Sequence, residues 1–520
     1  MTNQIIRSNN PILDMDYPDP DVIRVGDTYY MVTTTMHFMP GCEILRSHDL
    51  LYWEHLTYVY DRLDSTDAQR LVGDEHIFGK GMWAASIRYH EGTFYIVFVA
   101  NDTQKTYLYR AERIEGPWRK SEIEGFYHDC SLLFDNGKAY LVYGNTDIYL
   151  TELNEAMDAP AEGGLHRLIV SDKGNKMLGY EGSHLYKIDG RYYLFLIHSE
   201  RDRWMRNEAC FIADSLEGEF TGGDVLSDDM GLTPMGVAQG GIVDDGRGNW
   251  YAVLFQDSGA IGRIPAVVPV RFEEGKVVFG IDGKVPKEME TESLVEGDYS
   301  YEPLYGSDDF KGSYVNQRLT GTFGFKSFWQ FSHEPDLSLI DVDRSEGILW
   351  IKTDKLSTNL FGARNTITQR MIRPVSAGEV TIEASELKEG DYAGLSIYQG
   401  DFIFIGVTRR EGKLYTIVRA LTNGDDIWAL SHDPGEEKAC IPLSGASVRV
   451  GIKADFNDGR DEAECSIIDD AGCVDIGGVH KLRFRLDHFT GARFGLFIYS
   501  TEEVGGRVGF KDFKYFKRGQ

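Results

Sequence analysis

A turn followed by an aromatic pair and an apolar strand occurs five times in the first half of the chain, and no other feature restricts the fold as much. The copies are GDTYYMVTTT at 26–35, EGTFYIVFVA at 91–100, NGKAYLVYGN at 136–145, DGRYYLFLIH at 189–198 and RGNWYAVLFQ at 247–256. With Tyr30, Tyr95, Tyr140, Tyr193 and Tyr251 as markers, the spacings are 65, 45, 53 and 58 residues. Each unit has room for about four short strands, the content of one propeller blade. The DG, EG and NG pairs between apolar runs are hairpin signals, because Gly tolerates positive φ. A count of 57 Gly against 15 Pro, with 12% aromatics, suits many short strands joined by turns. The expectation is an all-β chain whose residues 1–295 form a five-bladed β-propeller.

Eleven or twelve residues before each marker stand Asp19, Trp83, Asp129, Glu181 and Gln239. If each turn joins the first and second strands of its blade, these five hold equivalent places on the innermost strands. They then converge around the central axis at one end. Singly, each has an ordinary explanation: Asp19 as a turn residue in PDPD, Asp129 and Glu181 as solvated acids, Trp83 as core, Gln239 as a partner for backbone groups. The common register is what sets the three carboxylates apart together.

Around residue 295 the acidic stretch KEMETESLVEGDYSYEP loses apolar periodicity, and residues 296–305 are assigned as a linker. Beyond it, alternating runs such as ILWIKT, EVTIEAS, FIFIGVTRR, LYTIVRA and SVRVGIKA predict a second all-β domain over 306–520, most simply a two-sheet sandwich.

A formal net charge of −28 argues against nucleic acid and against an anionic membrane surface as partners. No stretch approaches the roughly 20 apolar residues of a membrane span, and MTNQIIRSNNPILDMDYPDPD has no apolar core of a secretory signal. The six cysteines are scattered, without CxxC pairs or metal-type His spacing, which points to buried reduced thiols. A cytoplasmic protein is expected, with self-association left open.

Carboxyl groups facing a cleft are the working parts of glycoside hydrolysis. One protonates the leaving oxygen while another activates water or attacks the sugar. The acid needs a raised pKa, which burial or a neighbouring carboxylate can supply. Trp83 would offer a flat face to a sugar ring. Arg263, in AIGRIPAVVPV, could bond sugar hydroxyls or a carboxylate, although a plain ion-pair role is the alternative.

At these residues the sequence resembles glycoside hydrolase family 43, the β-xylosidase and α-L-arabinofuranosidase group, over essentially the whole chain. NPILDMDYPDPDVIRVGDTYY is similar to the family's opening segment, HDCSLLFDNGKAYLVYG to its middle one and YEGSHLYKIDGRYYL to the third. The resemblance implies Asp19 as general base, Asp129 as the residue tuning the acid's pKa and Glu181 as general acid. It also implies Trp83 and Arg263 as pocket residues; Met36 of TTTMHFMPG stands where relatives often carry an aromatic, with Phe38 as the candidate to compensate, and Gln239 is a pocket candidate from the register of the repeat. FWQFSHEPD, LFGARNTITQR and GDYAGLSIYQGDFIFIGV resemble the concanavalin-A-like, jelly-roll domain that follows the propeller in many such enzymes. Phe361 is then a candidate for a pocket-lining residue lent by the sandwich, with core packing as its other explanation.

The implied activity is inverting and exo-acting, on short xylan- or arabinan-type oligosaccharides. The two carboxyls of an inverting pair stand about 6.5–9.5 Å apart. No cofactor is required. A central calcium ion, known among relatives with a His in the fifth blade, has no support from VAQGG here. The alternatives are a strict α-L-arabinofuranosidase, a family 130-like phosphorylase and a noncatalytic sugar-binding module. The phosphorylase lacks a basic cluster for phosphate, and the presence of all three carboxylates weighs against the binding module.

Overall fold

The computed structural model describes residues 4–273, 275–312, 323–424, 430–483 and 490–518. Five antiparallel four-stranded sheets form the first half, each running outwards from an inner strand. The inner strands are Asp21–Val25, Ser86–His90, Ser131–Asp135, Glu181–Ile188 and Ile242–Asp244. Each of the five repeat turns joins an inner strand to the second strand of its blade, as the repeat predicts. Asn136 and Gly137, with φ of 51° and 73°, show why these positions are Asn-Gly: both central residues of the turn are left-handed.

The inner strands are tied to one another near the axis. Asp21 accepts from Ile87 N (2.8 Å) and Arg88 Nη1 (2.6 Å), and Arg88 Nη2 reaches Ser131 Oγ at 3.0 Å. Ser131 Oγ in turn accepts from Leu185 N, and Tyr186 Oη accepts from Ile242 N. The Arg88 guanidinium also lies over the Tyr186 ring. One protein cation therefore bridges the centre of the propeller and meets the charge of Asp21 there.

The second half is a sandwich of an eight-stranded and a seven-stranded antiparallel sheet. Phe402–Arg410 and Ser447–Asp455 coincide with two of the predicted runs to within a residue. The edge strand of the larger sheet, however, comes from the propeller: Phe38–Met39 pairs with Gln330–Ser332. Beside it, Glu43 binds Arg370 of the sandwich at 2.6 Å and His55 at 2.9 Å, all three buried. One hydrophobic cluster runs through both halves, from Tyr17 and Met31 to Leu395 and Phe510.

Two sequence expectations need correction. The acidic stretch near 290 contains a strand, Glu288–Glu292, paired with Ile5–Asn9. Its alternation is real but carried by Met289 and Thr291, which are buried between three exposed glutamates. Of the six unpaired thiols, Cys42, Cys130, Cys210 and Cys465 are buried, whereas Cys440 and Cys473 are exposed.

Candidate active site

Asp19, Trp83, Asp129, Glu181 and Gln239 all line one cavity of about 260 Å³ at the end of the propeller axis. The backbone explains why their side chains turn inward. Asp19, Asp129 and Gln239 are all left-handed, with φ of 50°, 46° and 57°, just before their inner strands. Asp reaches this region more readily than most residues, and non-Gly residues there mark sites held by their surroundings. In the fourth blade the same departure is made by Gly182 (φ 63°), within a bulge that follows Glu181. A Cβ on Gly182 would lie 2.7 Å from Gln239 Cδ, so the fourth and fifth blades meet there without space for a side chain.

Both oxygens of Asp19 are engaged. Arg263 Nη1 donates to Oδ1 at 2.7 Å and Thr34 Oγ1 to Oδ2 at 2.6 Å, an arrangement that suits a carboxylate. Arg263 also binds Asp257 (3.2 Å), which holds Arg206 from its other oxygen (2.8 Å). The two guanidinium groups stack on Phe255 from 4.7 and 5.2 Å. This chain of alternating charges ties Arg206 of the fourth blade to Asp257 and Arg263 of the fifth along one wall of the cavity.

The opposite cluster is built from blades three and four. Glu181 Oε2 accepts from Asn145 Nδ2 at 2.6 Å, and His128 Nε2 lies 3.3 Å from that oxygen and 3.6 Å from Asp129 Oδ2. Trp83 meets the His128 ring edge-on at 5.6 Å. Burial raises the Asp129 carboxyl to about 7, with Glu181 and Asp19 adding to the effect against the pull of His128. Burial alone would depress His128, but Asp129 and Glu181 bring it to about 9. Burial also pushes Glu181 up, yet its bond from His128 and the charges of His128, Arg206 and Arg263 leave it below the usual range. Burial is thus what raises Asp129, and the bond and charge of His128 are what lower Glu181.

Among the described residues, His128, Asp129 and Glu181 are the histidine–carboxylate group whose donor atoms lie close enough together to share a metal ion, within 4.8 Å. Their donors already face one another, and Arg206 and Arg263 stand in the same cavity. That balance of charge fits proton handling better than capture of a cation.

Met36 and Arg263 line the cavity as the sequence indicates, but Phe38 and Phe361 do not. Phe38 is 1% exposed beneath the Arg493 guanidinium, 3.6 Å from its ring centre, because its strand belongs to the sandwich sheet. Phe361 is buried against Phe78 and Phe402 at 5.5 and 5.4 Å, in the core between the two halves. Sequence reasoning missed His128, Asn145, Trp204 and Arg206, which also line the cavity. Asn145 ends the third repeat copy and His128 adjoins Asp129, so both lay within segments already marked. Arg206 opens the strand Arg206–Ala213, where it is followed by the polar Asn207 and Glu208 before an apolar run.

Residues 8–277 match the model of glycosyl hydrolases family 43, and residues 324–516 match that of the β-xylosidase C-terminal concanavalin A-like domain. The chain belongs to glycosyl hydrolase family 43. Within the family it is 31% identical to the xylosidase/arabinosidase 43B of Humicola insolens, over 98% of this chain and 96% of that one. Its fold is similar to that of a bifunctional GH43-CE protein of Bacteroides eggerthii, at 35% identity and a TM-score of 0.90. The match covers 99% of this chain but only 64% of that longer protein. A second solved family 43 structure, an engineered enzyme displaying endo-xylanase and exo-arabinofuranosidase activity, matches at 25% identity and a TM-score of 0.87. It covers 99% of this chain and 100% of that one. This family 43 member is a glycoside hydrolase, with a five-bladed propeller followed by a concanavalin A-like sandwich.

Proposed function

We propose that the enzyme releases D-xylose, L-arabinose or both from the non-reducing ends of short xylan- or arabinan-type oligosaccharides, with inversion. The observation that carries this is the small cavity holding Asp19, clamped by Arg263 and Thr34, together with the Glu181 cluster. Its volume suits one sugar ring rather than a polymer chain. Asp19 takes a proton from water as that water attacks the anomeric carbon. Glu181 gives a proton to the departing oxygen. Asp129 carries the proton-rich end of the cluster, and Trp83 and Met36 supply apolar walls. The xylosidase/arabinosidase name of the Humicola relative supports the pair of sugars. The exo-arabinofuranosidase activity of the second solved relative keeps a strict arabinofuranosidase as the next reading.

No step in this scheme passes through a metal or cofactor, so activity is expected to survive chelation. The buried unpaired thiols suit a reducing compartment, and we place the enzyme in the cytoplasm acting on imported oligosaccharides. The test is hydrolysis of 4-nitrophenyl β-D-xylopyranoside and 4-nitrophenyl α-L-arabinofuranoside, with and without chelator, followed by NMR of the first anomer released. Turnover of neither by the folded protein overturns the substrate assignment, and release of the retained anomer overturns inversion.

A further inference from the structure

Several N–H donors that line the cavity are engaged by acceptors of the protein itself. The Trp83 indole donates to Gly79 O at 3.3 Å, the Asn145 amide to Glu181, and Arg263 to Asp19 and Asp257. Two donors of the fourth blade differ. Trp204 Nε1 and Arg206 Nε are buried without a hydrogen-bond partner among the described residues, and both residues line the cavity. They stand two apart in the hairpin that joins Arg191–Ser199 to Arg206–Ala213. Ser199 pairs with Arg206 there, and Glu200 N donates to Met205 O at 2.8 Å, so the backbone of this segment is held in place. The Arg206 side chain is fixed as well. It is 2% exposed, its Nη2 lies 2.8 Å from Asp257, and its guanidinium lies over the Trp204 and Phe255 rings at 5.5 and 5.2 Å.

An indole N–H and a guanidinium N–H donate and never accept. A buried donor without an acceptor is costly, and native structures leave few of them. Two on one short segment, beside a cavity sized for a single sugar ring, call for oxygen atoms from outside the chain. We propose that Trp204 and Arg206 are specificity-determining residues, a donor pair that reads hydroxyl oxygens along one edge of the sugar in the cavity. The apolar walls of Met36 and Trp83 accept a ring of the right size and discriminate weakly. Donors left unpaired reject a ring that lacks the matching oxygen far more strongly. The pair, rather than those walls, therefore sets which sugar the cavity keeps.

The inference rests on this cavity being the sugar site of the proposed hydrolysis. Trp204→Phe keeps an aromatic ring and removes its N–H, and Arg206→Lys keeps a cation opposite Asp257 and removes Nε–H. The readout is kcat/KM for wild type and both variants on 4-nitrophenyl β-D-xylopyranoside, 4-nitrophenyl α-L-arabinofuranoside and their monodeoxy forms. For wild type, loss of the hydroxyl that faces the pair should lower kcat/KM by about tenfold or more. In Trp204→Phe the parent substrate should fall by about tenfold. The deoxy penalty at that one position should shrink to about twofold, because the donor it faced is gone, while penalties at the other positions persist. A common factor lost on parent and deoxy substrates alike, or no loss at all, overturns the idea and leaves the segment as a plain wall. Arg206→Lys gives the same comparison should Trp204→Phe misfold. If wild type cleaves neither glycoside, it is the function that fails. Calorimetry of D-xylose and L-arabinose against wild type and Trp204→Phe then decides the donor pair: weaker binding by the variant supports it, and equal affinity or no binding to either overturns it.

Discussion

At the scale of single residues, Asp19 and Glu181 differ in how much the substrate can compensate for their loss. Glu181→Gln should lower kcat on oligosaccharides by about 10²–10⁴-fold, and less on 4-nitrophenyl glycosides, because a good leaving group departs with little protonation. Asp19→Asn should cost a comparable factor on both, since the attacking water needs its base whatever leaves. Parallel rate measurements on the two substrate types would separate these roles. Asp129 has a second consequence, for stability. Its carboxyl is raised by burial from 3.8 to about 7 in the folded protein. Its contribution is therefore complete below the unfolded value and is lost as pH rises through about 7. Asp129→Asn should then melt higher than wild type above neutrality, with the difference closing towards pH 4. A thermal scan across that range that finds no crossing trend would contradict the burial assigned to this group.

At the scale of elements, the cavity depends on short segments that leave the regular strand conformation. Gly182→Ala would force a Cβ into Gln239 at a left-handed position, so we expect a loss of about 1–3 kcal/mol and a fall in kcat beyond that seen at sites remote from the bulge. Urea melts and steady-state rates on the same preparation would check both. A second element is the seam beneath Arg263. Asp16 accepts from Arg263 N and from Gly491 N of the sandwich, both at 2.8 Å, and Ala492 N reaches Ala260 O. Asp16→Ala should raise KM and lower kcat while leaving the pH profile in place, because it loosens Arg263 without removing a titrating group of the pocket.

The blades were legible because each repeats one turn and one strand, and the register alone brought five residues to one cavity. Phe38 was misplaced for a different reason. A two-residue strand has no periodicity to read, and its partner lies in Gln330–Ser332, so only the tertiary fold shows where it belongs. Arg206 and Asn145 escaped because a polar residue at a strand end is ordinary until its neighbours in space are known. The left-handed backbone at Asp19, Asp129 and Gln239 likewise leaves no mark that the sequence alone reveals.

At the scale of the whole molecule, the sandwich completes the propeller rather than trailing behind it. Glu43 is brought down to about 2: burial would push it up, but Arg370 and His55 outweigh that. Its contribution to stability holds above the unfolded value and fades as pH falls towards 2. Arg370→Ala leaves this carboxylate buried without its cation and should destabilise the protein by about 3–5 kcal/mol. The variant should also lose part of wild type's acid sensitivity, which denaturant titrations at pH 7 and pH 4 would reveal. A chain ending at residue 295 would expose the same carboxylate together with Phe38 and Tyr17. The edge strand of Phe38 and Met39 also has a bearing on how the protein is made. Gln330 Nε2 donates to Pro40 O across 290 residues of sequence. At about 5–20 residues per second, a ribosome needs roughly 15–60 s to span that distance. Through that interval the first blade emerges with an apolar loop that no neighbour can yet cover, so the earliest part of the enzyme to be synthesised is among the last to be finished.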